Sequence, residues 1–94
     1  GDRATISAHA RFLSVHPEFN VVIEGHADER GSREYNLALG ERRAQTIERL
    51  LSLQGATAAQ LRTVSFGEEQ PAAFGRDEAA WQLNRRVELV YPNR

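Results

Sequence analysis

The chain has 94 residues, a net charge of −1, 40% apolar and 27% charged side chains, and no cysteine. That length suits one domain with one modest core, and the near-neutral charge excludes non-specific nucleic-acid binding, which needs a basic face. Without cysteine there is no disulfide, no thiolate zinc site and no cysteine nucleophile.

In chain order, Asp2 is placed to cap a first helix over about Arg3 to Val15, with Ile6, Ala10 and Leu13 at helical spacing and Pro17 to end it. His9 and His16 fall on that helix and its exit as surface histidines. Phe19 to Glu24 alternates as a half-buried strand does, with Val21 and Ile23 facing one way. A second helix runs from near Glu34 to Leu53, and Gly55 is its stop signal. Thr57-Ala-Ala-Gln60 has the form of a capping box on a short turn. Leu61 to Phe66 reads as a strand ended by Gly67, and the polar stretch from Glu68 to Arg76, with Pro71 and Gly75, as a loop. Asp77 caps a short helix through Trp81 and Leu83. Arg85 to Tyr91 closes the chain as a strand with Arg85, Val87, Leu89 and Tyr91 on one face. The sum is an α+β or α/β sandwich of helices on a small mixed sheet. No apolar run approaches the roughly 18 residues of a membrane span.

The stretch from Gly25 to Arg43, GHADERGSREYNLALGERR, organises the rest. Two of its residues are out of place for a purely structural role. Asp28 lies just past a core strand, where loops carry binding groups on a rigid scaffold. Arg43 shares a helix face with Leu39, Ile47 and Leu50, and an arginine on an apolar face snorkels or finds an anionic partner. Asp28 is the nearest candidate in sequence.

Five segments carry a family resemblance: GHADERG at 25–31, EYN at 34–36, LGERRA at 39–44, VSFGEEQPA at 64–72 and DEAAWQLNRRVELVY at 77–91. At these residues the chain resembles the OmpA-like peptidoglycan-binding domain, in its peptidoglycan-associated lipoprotein branch. The resemblance implies an α+β fold of the βαβαβ type. It also implies one further strand ahead of the first helix, which is not found here, so three strands are expected where the family fold has four. It further implies a lipid anchor preceding the domain, so that 1–94 is expected to be an N-terminally trimmed single domain from the periplasmic face of a Gram-negative outer membrane. The partners implied are diaminopimelate-containing peptidoglycan stem peptides and the propeller protein TolB of the Tol–Pal system, with no cofactor.

The resemblance places the ligand-binding task on Asp28 and Arg43. The aspartate takes the ammonium of the diaminopimelate side-chain end, and the arginine fork takes its carboxylate in two parallel bonds. Asn36 matches an asparagine lining the same pocket, and Arg85, expected at a strand start on the inward face, adds positive potential; Arg86 is expected to point the other way. A plainer reading fits the same residues: Asp28 and Arg43 pair as a structural salt bridge, and Asn36 is only a helix N-cap.

An enzymatic reading finds little support. His26, Asp28 and Glu29 crowd together, but no HExxH motif or second ligand cluster accompanies them, and alternation sends neighbours to opposite faces. Ser65 in VSFG lacks a nucleophile elbow. No nucleophile, base and orienting group can be assembled, so neither a catalytic nor a metal residue is assigned. A docking role for Trp81, Phe74 and the Glu68–Arg76 loop competes with core packing for Trp81.

Overall fold

The computed structural model describes residues 2–92, and of residue 2 only the backbone. Helix α1 spans Asp2–Val15, and Ile6, Ala10 and Leu13 are all buried, as their spacing requires. The cap assigned to the Asp2 side chain lies outside the described residues. After Pro17 the chain turns, with the Phe19 amide donating to the His16 carbonyl at 3.0 Å and the Phe19 ring edge-on to Phe12 at 5.0 Å. Phe19 therefore anchors a turn and does not open a strand. Strand β1 begins two residues later than the sequence suggests and spans Val21–His26. Val21 and Ile23 are fully buried, while Val22 and Glu24 are half-buried on the opposite side.

Helix α2, Arg33–Leu53, is capped by Ser32, whose hydroxyl accepts from the Tyr35 amide at 3.0 Å. It ends at Gln54, and Gly55 follows at φ 119°, a conformation that favours glycine. The Thr57–Gln60 segment forms its capping turn, with the Thr57 amide donating to Gln60 Oε1 at 3.1 Å. The buried Gln60 Nε2 has the carbonyls of Leu13, His16 and Phe19 at 2.9, 3.0 and 2.9 Å, which ties the exit of α1 to the start of the next strand. Strand β2 is Leu61–Gly67 and helix α3 is Glu78–Asn84, capped by Asp77, whose Oδ1 accepts from the Ala80 amide at 3.0 Å. Strand β3 is shorter than its alternating pattern and covers Val87–Val90. Arg85 is not in it. The Arg85 amide donates to the Trp81 carbonyl at 3.1 Å as the C-cap of α3, so the helix claims a residue that the alternation assigned to the strand.

The sheet has the order β2-β1-β3, with β1 parallel to β2 and antiparallel to β3. The parallel pair is joined by α2, as a parallel connection requires. Ile6, Ala10 and Leu13 of α1 and Ala44 and Leu51 of α2 close over Val21 and Ile23, so the two helices cover one face of the sheet. These are helices on a small mixed three-stranded sheet, an α+β architecture. Among the described residues β2 and β3 are its edges.

One contact sets how deeply α2 seats. A Cβ at Gly25 would lie 1.8 Å from the Gly40 carbonyl oxygen, and one at Gly40 would lie 2.3 Å from Ser65 Oγ. Mid-helix glycine costs about 1 kcal/mol relative to alanine, so Gly40 is explained by this approach of helix backbone to strand backbone. The same approach carries Arg43, three residues on, to the end of β1.

Candidate functional site

The site is built where β1 ends. Asp28, two residues past β1, is 7% exposed, and its carboxylate is filled. Oδ1 accepts from the Arg30 amide at 3.0 Å and Arg30 Nε at 3.2 Å; Oδ2 accepts from Arg30 Nη2 at 2.8 Å and Arg85 Nη1 at 3.1 Å. The two Arg30 side-chain bonds form a fork on the carboxylate. These bonds hold the Asp28 carboxyl well below the usual carboxylate range. The Arg30 side chain contributes most, burial opposes it, and the Arg30 amide and Arg85 lower it further. Arg30 lies over the Trp81 ring, its guanidinium carbon 4.2 Å from the ring centroid.

Arg43 is half-buried, and its Nη1 donates to the His26 carbonyl at 2.7 Å. Among the described residues no carboxylate lies within ion-pair distance of it, and Asp28 pairs instead with Arg30 and Arg85. The direct Asp28–Arg43 salt bridge is therefore not formed. Asp28 acts on Arg43 at longer range: burial and the neighbouring Arg85 lower the Arg43 pKa, and Asp28 raises it. Arg43 and Arg85 line one cleft of about 610 Å³ with Arg86, Ile47, Val87, Leu89 and the α1 residues Thr5, Ile6 and His9. Two guanidiniums thus line this cleft, and the Asp28 carboxylate is hydrogen-bonded to that of Arg85.

Asn36 is fully buried in the first turn of α2. Ser32 is the N-cap, so Asn36 does not serve as one. Asn36 Nδ2 donates to Glu68 Oε1 at 2.6 Å, which fixes the β2–α3 loop against the site. Asn84 pins the far side of that loop, accepting from the Ala72 and Ala73 amides at 2.7 and 2.9 Å. Arg85 Nη2 donates to Glu78 Oε2 at 2.6 Å, so this arginine bridges two carboxylates. Arg86 finds different partners, Glu88 and the Gln70 carbonyl.

Sequence reasoning missed Arg30 and Glu78, which saturate Asp28 and Arg85. Arg30 carried a signal: a residue two positions past an aspartate in a loop donates to it readily. Trp81 is half-buried beneath Arg30, and its Nε1 lies 3.4 Å from Glu29 Oε2. Phe74 is 91% exposed.

Known proteins share this arrangement of elements. The OmpA family model matches residues 2–85. The chain is 53% identical over 87 residues to the peptidoglycan-associated lipoprotein of Legionella pneumophila, covering 93% of the chain and 49% of that protein. It is 56% identical over 84 residues to the peptidoglycan-associated lipoprotein of Pseudomonas putida, covering 89% of the chain and 50% of that protein. The chain thus spans about half the length of these curated relatives. The crystal structure of the peptidoglycan-associated lipoprotein from Burkholderia pseudomallei superposes with a TM-score of 0.93 at 50% identity, over 95% of this chain and 75% of that one. The C-terminal domain of Helicobacter pylori MotB superposes with a TM-score of 0.84 at 22% identity, over 95% and 70%, which is a likeness of fold. With the family model spanning all three helices and with relatives above half identity over most of its length, the chain belongs to the OmpA family.

Proposed function

We propose that this chain binds peptidoglycan non-covalently through the diaminopimelate residue of the stem peptide, with Asp28, Arg43, Asn36 and Arg85 forming the site. The observation that carries the reading is Arg43: a half-buried guanidinium without a carboxylate partner among the described residues, bonded to a carbonyl and lining a cleft with a second arginine. A charge in that setting needs an anion, and a ligand carboxylate entering the cleft supplies one. Arg43 accepts it through the planar fork, and Arg85 adds to the positive field.

The ammonium of the same ligand group goes to Asp28. The carboxylate already accepts four hydrogen bonds, so the ammonium replaces the side chain of Arg30, which is 52% exposed. The Arg30 amide keeps its bond, and Arg30 retains its seat over Trp81. Asn36 acts through Glu68, holding the loop that borders the site. The roles are those of a binding module, with no reacting group among them.

The relatives' name, peptidoglycan-associated lipoprotein, supports contact with the cell wall and a lipid anchor, and we place the domain on the periplasmic side of the outer membrane. TolB is the proposed protein partner within the Tol–Pal system. The exposed Phe74, on the loop that Asn36 and Asn84 fix, is the residue we assign to that contact.

Arg43→Lys tests the arginine's role. Lysine keeps the charge and loses the fork, so co-sedimentation with insoluble peptidoglycan should weaken about tenfold, the loss of roughly 1.4 kcal/mol. Lysine binding as well as arginine would show that bidentate recognition of a carboxylate is the wrong picture.

A further inference from the structure

The helix-free face of the sheet carries a second cluster, distinct from the residues of the proposed peptidoglycan site. Glu24 of β1 and Glu88 of β3 are directly paired across the antiparallel ladder. Like charges in that position repel, because cross-strand neighbours lie only about 5 Å apart. Beside them, two residues on from Glu24, sits His26, 1% exposed, with neither ring nitrogen hydrogen-bonded among the described residues. Its Nε2 is 3.7 Å from Glu24 Oε1, too far for a hydrogen bond and close enough for a shared ion. The ring is held in place by stacking on Phe66 at 5.6 Å and 20°. Among the described residues, Glu24, His26 and Glu88 form the one group of three whose ligand atoms all lie within 4.8 Å of one another.

We propose that Glu24, His26 and Glu88 form a binding site for a divalent first-row transition ion of the zinc class. One imidazole and two carboxylates are a donor set that zinc accepts, at about 2.0–2.2 Å, with water completing a tetrahedron. A single ion there would relieve the repulsion between the carboxylates and give the orphaned ring nitrogen a partner. Burial, and after it the charge of Arg86, lowers the His26 pKa, while Glu88 and Glu24 raise it. Arg86 is the resident competitor, since its Nε donates to Glu88. Its Nη2 donates to the Gln70 carbonyl at 2.9 Å and its Nη1 to the Asn84 carbonyl at 3.3 Å, so it stays anchored when Glu88 turns to the ion. Hard magnesium prefers an all-oxygen octahedral shell and is disfavoured.

The His26 carbonyl accepts from Arg43 of the proposed peptidoglycan site, but the metal donors are the His26 ring and two carboxylates outside that site, so metal binding is tested apart from it. The metal-free 94-residue chain is titrated with zinc chloride by calorimetry, and the His26 ring resonances are followed by NMR. Replacing the buried His26 risks the fold, so Glu24→Gln and Glu88→Gln serve as the variants. The control is Glu18→Gln, because His16 and Glu18 approach to 3.5 Å elsewhere on the surface. The expected result is one zinc per chain, a shift confined to the His26 ring, affinity at least tenfold weaker in Glu24→Gln, a smaller loss in Glu88→Gln, and no change in Glu18→Gln. No heat at millimolar zinc, equal affinity in Glu24→Gln, or a loss in Glu18→Gln would overturn the proposal.

Discussion

Asp28→Asn should abolish most retention on insoluble peptidoglycan and lower the stability of the domain at neutral pH. The substitution keeps the shape and removes the charge. It also turns an acceptor-only group towards Arg30 and Arg85 into one that is half donor. Losing a charge-assisted contact to the ligand costs about 1.5–3 kcal/mol, which is at least a tenfold fall in affinity. The stability loss has a direction in pH. Because folding depresses the Asp28 pKa, its contribution is fully present above the unfolded carboxylate value of about 3.9 and is lost as pH falls below it. Wild type should therefore melt above the variant at pH 7, and the gap should begin to narrow only below about pH 4 and still be largely present at pH 3. Equal melting at pH 7 would mean that the hydrogen bonds to Arg30 and Arg85 do not hold the loop. Unchanged retention on peptidoglycan would remove Asp28 from the site.

Gly25→Ala should be the most damaging single methyl in the chain. The added Cβ would meet the Gly40 carbonyl oxygen at 1.8 Å, and both atoms belong to backbone, so no side chain can swing aside. Helix α2 must lift from β1 to admit it. Overpacking a tight core costs about 1–3 kcal/mol when side chains can adjust, and here the cost should reach or exceed the top of that range. For a domain of this size that is a fall in melting temperature of roughly 12 °C or more. A thermal melt reads it directly, and a shift of only 2–3 °C would show that the helix rides further from the strand than described. Peptidoglycan binding at low temperature should fall as well, since Arg43 moves with α2.

Much of this architecture is legible in sequence because periodicity and punctuation agree. Ile6, Ala10 and Leu13 mark the buried side of α1, Gly55 and Gly67 stop α2 and β2, and Asp77 caps α3. The errors have physical causes. Phe19 has strand character and is spent on an aromatic cluster with Phe12 and His16, which delays β1. At the other end of β1, Gly25 and His26 belong to the strand although the motif around them reads as a loop. Arg85 continues the alternation of Val87 and Leu89 by position, yet the last turn of α3 takes it first. Arg43 was legible as a charge on an apolar face, but its acceptor is a backbone carbonyl, which no side-chain pattern encodes. The pairing of Glu24 with Glu88 depends on β-ladder register, so a sequence search around His26 finds no second ligand cluster where the structure supplies one. The approach of Gly25 to Gly40 is equally invisible until strand and helix are packed.

The ligand itself offers the most direct test of the central reading. Three stem peptides are matched except at one residue: diaminopimelate, the same residue with its side-chain carboxylate amidated, and lysine. The lysine peptide keeps the ammonium for Asp28 and leaves Arg43 without an anion, while the amidated form keeps the shape and loses the charge. A site built for a polar group rejects analogues that leave its own groups unpaired, so calorimetry should find both at least about tenfold weaker than diaminopimelate. Equal affinity for the lysine and diaminopimelate peptides would mean that Arg43 does not read the ligand, and would contradict the proposed site.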